Sequence, residues 1–100
     1  MRGAGNVKIR ISVTEQLIRF ILCRRLKGAR GNVYTIKAAQ ICAEIFRGES
    51  KVPVSCKVTV RRYLLGALYD AIVHDLTDKY RIVVNVGKAW ELLGCEEYED

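Results

Sequence analysis

The stretch SCKVTVRRYLLGAL, residues 55–68, joins a polar, basic start (Lys57, Thr59, Arg61, Arg62) to an apolar body (Leu64, Leu65, Leu68). A helix has this form when one end must meet something anionic and the rest is anchored in a core. Residues 50–69 hold Lys51, Lys57, Arg61 and Arg62 and no acid, so the segment carries four uncompensated positive charges.

Working outward, residues 7–13 (VKIRISV) alternate strictly. Val7, Ile9, Ile11 and Val13 fall on one face and Lys8, Arg10 and Ser12 on the other, as in a half-buried strand or an extended arm. Thr14 is placed to cap a helix that carries Glu15 in its first turn and runs to about Lys27. Leu17, Ile18, Phe20, Ile21, Leu22 and Cys23 make it apolar almost all round, a central core helix, and Gly28 and Gly31 end it. Asn32, Val33 and Tyr34 read as a short β stretch before Thr35, the expected cap of a second helix over residues 36–46. Its inward positions are Ile36, Ala39, Cys42, Ala43 and Phe46. Gly48 stops it, and a loop over residues 49–54 holds Pro53. Ser55 is then expected to cap the third helix, which extends to His74 or Leu76. Residues 80–86 read as β structure, Gly87 as a turn, and residues 88–93 as a returning strand with Trp90 and Leu92 on one face.

One hundred residues, half of them apolar, make one domain with a real hydrophobic core. No apolar run approaches the ~20 residues of a membrane span. The first twelve residues lack the apolar stretch of a secretory signal, so an intracellular, cytoplasmic protein is expected. The formal charge is +6, but residues 91–100 hold five acids and no base, leaving 17 bases against six acids in the rest. A second acid-free run contains Arg19, Arg24, Arg25, Lys27, Arg30 and Lys37. Such an excess on a compact domain favours a polyanionic partner, with nucleic acid the usual one.

Cys23, Cys42, Cys56 and Cys95 fall in no CxxC spacing and share the chain with a single histidine, so no metal site and no cofactor are expected. Cys23 and Cys42 read as small core residues. Cys56 beside Lys57 at a helix start has no histidine partner and reads as incidental, with a redox-responsive thiol as the testable alternative. Only five Asn and Gln occur among abundant Ile, Val, Arg, Leu and Glu. That balance leans towards a thermophile, where intracellular disulfides form, although no pairing can be assigned. No nucleophile–base pair or phosphate-binding glycine loop points to an enzyme.

The order strand, helix, short strand, helix, helix, hairpin resembles the winged helix-turn-helix superfamily of DNA-binding domains, over residues 14–94. GNVYTIKAAQICAEI looks like its strand and second helix. SCKVTVRRYLLGAL looks like its recognition helix, often Ser-Arg-x-Thr-Val-Arg-x-x-Leu, here with one extra residue between Ser and Thr. DKYRIVVNVGKAWELL looks like its wing. The resemblance implies an α+β fold: a three-helix core with a C-terminal β-hairpin wing, preceded by an arm or strand over residues 1–13 and followed by an acidic tail over residues 95–100. It also implies a nucleoid-associated transcription regulator that reads double-stranded DNA with its third helix. Carried over residue by residue, Ser55, Lys57, Thr59, Arg61 and Arg62 become the DNA contacts. Lys37, Lys51, Lys79, Arg81 and Lys88 are flanking phosphate contacts, and Arg24, Arg25, Lys27 and Arg30 a secondary basic surface. The alternative is a winged-helix module for RNA, a ribonucleoprotein or a protein partner in a larger nucleic-acid machine. The long third helix or the N-terminal strand would support a homodimer.

Overall fold

A computed structural model describes residues 13–76 and 80–98. Helix α1 (Glu15–Lys27) leads through strand β1 (Val33–Lys37) into α2 (Ala38–Ile45) and α3 (Val54–Ala67). Strands β2 (Ile72–Leu76) and β3 (Arg81–Asn85) follow, then α4 (Val86–Leu93). The sheet runs β1-β3-β2, antiparallel throughout, so the last strand lies in the middle.

Thr14 caps α1 as the sequence predicts, its hydroxyl accepting from the Leu17 N–H at 3.2 Å. Ile18, Ile21, Leu22, Cys23 and Leu26 of α1 are buried. They pack with Ala38, Ile41, Cys42 and Ile45 of α2, Cys56, Val60 and Leu64 of α3, and Ile36, Ile82 and Val84 of the sheet. Phe20 departs from the all-round apolar pattern by remaining 41% exposed.

Four local assignments are corrected, two of them by strand pairing across the fold. Residues 35–37 continue β1 opposite Val83, Ile82 and Arg81, so Thr35 is a strand residue rather than a cap, and Ile36 packs from the sheet. The second helix therefore starts later and turns Ala38, Ile41, Cys42 and Ile45 inward, leaving Ala39 and Ala43 exposed. Pro53 precedes the first turn of α3, where its fixed φ and missing N–H suit a helix start, and Ser55 lies one residue inside. Third, α3 stops at Leu68; a 3-10 turn (Tyr69–Ala71) leads into β2. The apolar repeat Ile72, Val73, Leu76 that looked helical belongs to a strand paired with β3, which suits β-branched side chains. Fourth, the hairpin is β2–β3, and residues 86–93 form a helix. Asn85 caps it by accepting from the Lys88 N–H at 2.8 Å, and Gly87, expected at the turn, lies in its first turn. Trp90 and Leu92 are thus helical: Trp90 is half-buried against the core, and Leu92 is exposed.

All four cysteines form disulfides, Cys23–Cys95 and Cys42–Cys56. Cys56 is 1% exposed and bonded, which removes the alternative of a redox-responsive free thiol there. The first bridge holds a 3-10 turn (Cys95–Tyr98) against α1, within what the sequence marks as an acidic tail. Arg19 completes the junction: its Nε donates to the Leu93 carbonyl at 2.5 Å and its Nη2 pairs with Glu97 at 2.9 Å. Gly94 ends α4 with φ 64°, and a Cβ there would lie 3.1 Å from Arg19 Nη2. Gly94→Ala combines left-handed strain with crowding of that guanidinium. It should lower stability by about 1–2 kcal/mol in denaturant titrations.

Candidate nucleic-acid interface

The α3 helix turns Cys56, Val60 and Leu64 into the core. The opposite flank exposes Ser55, Val58, Arg62 and Gly66, with Thr59 and Tyr63 half-buried beside them. Two clefts run along this flank, and Arg62 stands between them because it lines both. One, of 410 Å³, separates α3 from the hairpin and is lined by Val58, Arg61, Arg62, Leu65 and Tyr80. The other, of 400 Å³, separates α3 from the start of α1 and includes Val13, Glu15, Thr59, Tyr63 and Gly66.

The hairpin is tied to α3 at two points. Arg61 Nη2 donates to Asp75 Oδ2 at 2.7 Å, and Lys57 Nζ lies 5.8 Å from the centroid of the Tyr80 ring. Tyr80 has φ 52°, a left-handed conformation uncommon for a bulky residue, and its carbonyl accepts from the Ala38 N–H at 3.0 Å. The backbone at the turn end of the hairpin is thereby fixed between the start of α2 and the N-terminal half of α3.

Arg81 follows at the start of β3 and sits directly opposite Lys37 of β1. Like charges in that position repel across a pair of strands. Leu76 of β2 is Arg81's other neighbour. A sheet end with this pairing is more stable with an anion nearby than without one.

The expected contact residues therefore divide. Lys57, Thr59 and Arg62 share the α3 flank, Ser55 and Lys51 lie exposed at its N-terminal end, and Lys37 with Arg81 occupy the adjoining sheet end. Arg61 is engaged with Asp75 and acts first as the link that positions the hairpin. Lys88 lies past the opposite end of β3, about 13 Å of strand away from Arg81, and does not join the group. Lys79 lies outside the described residues. The secondary surface is partly neutralised within the fold: Arg25 and Arg24 both pair with Glu44, at 2.8 and 3.4 Å. Burial pulls the Arg25 pKa down, but its interactions with Tyr34 and Glu44 outweigh this and leave it raised above the usual arginine value. On the arginine side that contribution is lost only as pH rises past arginine's own range, so Arg25 stays charged at neutral pH. Lys27 and Arg30 remain exposed.

Asp75 and Tyr80 as partners of α3 are invisible in a linear reading, because only the β2–β3 pairing brings them there. Among the described residues no three metal-binding side chains converge, and no helix is long and apolar enough to cross a membrane. No protein-family model, curated protein or solved structure matches the chain.

Proposed function

We propose that this chain is a winged helix-turn-helix domain that binds duplex DNA by laying α3 in the major groove, and that it serves as a transcription regulator. The observation that carries this is the joining of an acid-free, cation-bearing flank of α3 to the turn end of an antiparallel hairpin, in the order α1, β1, α2, α3, β2, β3. A helix ~10–12 Å across fits the ~12 Å major groove of B-DNA. Arg62 offers a planar fork to guanine or phosphate, Thr59 a hydroxyl and a methyl, and Val58 methyls that suit thymine. Lys51 and Lys57 would neutralise phosphates on one side of the groove. Lys37 and Arg81 would do so where the hairpin meets the next backbone.

Titration against duplex DNA, single-stranded DNA and structured RNA across a salt series tests the reading, together with in vitro selection of bound duplexes. Preference for duplex that persists to ~200 mM salt, with an enriched motif, supports it. Equal or tighter binding to RNA or single strands, or selection that enriches nothing, overturns it.

Asp75→Asn tests the part played by Arg61. Both partners of that pair keep some solvent contact, at 22% and 30% side-chain exposure, so the substitution should cost at most about 1 kcal/mol in thermal unfolding. It should raise duplex affinity severalfold by removing a negative charge beside the cation-bearing flank of α3. Glu97→Gln, which removes the same charge on the Arg19 side of the fold, should raise it less.

A further inference from the structure

Strand β2 slips by one residue against β3. Ile72 lies opposite Val84, yet His74 lies opposite Val83, so Val73 between them faces no residue of β3 and is 59% exposed. In a regular strand, residues two apart share a face. Ile72 packs against the core, so an unbroken β2 would turn His74 inward as well and Asp75 outward. The bulge at Val73 reverses both, as bulges do when they re-aim side chains. Asp75 comes to lie opposite the buried Ile82 and reaches Arg61 of α3. His74, the single histidine of the chain, moves to the outer face of the sheet and is exposed there.

Ile36, Ile82 and Val84 take the core side of the sheet, which leaves Lys37 of β1 and Arg81 of β3 on the outer face with His74. Arg81 stands directly opposite Lys37 and diagonal to His74, a position ~7–8 Å away in an antiparallel pair. Val83 faces His74 from β3, and Leu76 is the next residue of β2 on the same side. Among the described residues of the three strands, Arg81 and Lys37 are the other charged groups on this face, and no carboxylate shares it. Asp75, the next residue along, is turned to α3 and engaged there. The face begins where the α3 flank ends, because Tyr80, under Lys57, immediately precedes Arg81.

We propose that His74 is a third backbone contact of this interface, one that works only when protonated. Its imidazolium joins Arg81 and Lys37 in holding the phosphates beside the hairpin, and the neutral ring does not. Histidine is the side chain that changes charge between about pH 5 and pH 8. A phosphate on this face attracts the imidazolium and not the neutral ring, so binding takes up a proton and affinity rises as pH falls. The proton alters the number of phosphates neutralised, and hence the response to salt, while the reading of bases stays with α3. One extra residue in β2 thereby supplies both the carboxylate that positions the hairpin and the titrating cation beside it.

This inference rests on the duplex-DNA reading above, and one experiment separates the two. Binding of one labelled duplex is titrated from about pH 7.5 to about pH 5.5, over a salt series, with the parent, His74→Gln and His74→Arg. The parent should bind about five- to tenfold more tightly at the lower pH in ~100 mM salt, with a salt slope steeper by about one. His74→Gln should match the parent at the higher pH and lack that gain at the lower. His74→Arg should bind at the higher pH as tightly as the parent does at the lower. Both variants should keep the parent's thermal midpoint, since the side chain is exposed. Parallel pH profiles for the parent and His74→Gln overturn the proposal, because the response then belongs to other groups. So does a His74→Arg chain that binds no more tightly than the parent at the higher pH. A parent that binds duplex with no dependence on pH removes the His74 contact and leaves the duplex reading standing. A parent that binds no duplex removes both.

Discussion

Replacing Cys23 and Cys95 together by alanine should lower the thermal unfolding midpoint by about 20 °C, the largest effect on stability expected of any pair in this chain. The bridge spans 72 residues and joins α1 to the turn after α4. Closing a loop of that length removes about 4 kcal/mol of chain entropy from the unfolded state. The Cys42–Cys56 bridge, with a separation of 14, ties α2 to α3 and contributes about 3 kcal/mol on the same basis. Domains of this size are stable by only about 5–15 kcal/mol, so loss of both should leave a marginal fold at 25 °C. Alanine suits the test, because all four cysteines are at most 2% exposed and pack as small apolar groups once unpaired. Circular-dichroism melts of each double variant give the answer. A midpoint within a few degrees of the parent for Cys23→Ala/Cys95→Ala would show that the cross-link adds little to a terminus already held by Arg19.

The second large effect concerns binding. Arg62→Ala should weaken the selected duplex by about 1–3 kcal/mol and relax preference at one base position, as removal of a forked base contact does. Lys57→Ala should weaken all duplexes alike and reduce the salt slope by about one unit, as loss of a phosphate contact does. The two residues stand five apart on α3, with Arg62 on the outer flank and Lys57 turned to the Tyr80 ring, which is why their signatures should differ. Competition titrations with single-base variants of the site read the distinction. If Arg62→Ala lowers affinity uniformly and leaves every base preference intact, α3 does not read sequence through that residue.

Local chemistry made the first half of the fold legible. Thr14, the apolar run of α1 and the acid-free start of α3 act within a few residues of themselves, and α1 and the start of α3 stand within a residue or two of where those signals put them. Errors arose where long-range pairing outranked local pattern. Residues 35–37 and 72–76 suit a helix in isolation, but they become the two strands that flank β3. The helix α4 carries its own markers, Asn85 as cap and Gly94 as terminus, but Trp90 and Leu92, two apart, also fit one face of a strand. In the candidate interface the α3 residues could be named from charge alone. The engagement of Arg61 by Asp75 could not, because it depends on which two segments form the hairpin, and neither could the removal of Lys88 to the far end of β3.

The bridge between Cys23 and Cys95 also changes what it means to cut this molecule. Together with the backbone it makes a covalent ring of everything from α1 to the turn after α4. One broken peptide bond anywhere inside that ring leaves a single molecule whose halves separate only on reduction. A nicked sample should therefore migrate as one species without reductant and as two with it. The same ring lets new chain ends be opened within the connection between α2 and α3 while the old sequence order is kept by sulfur.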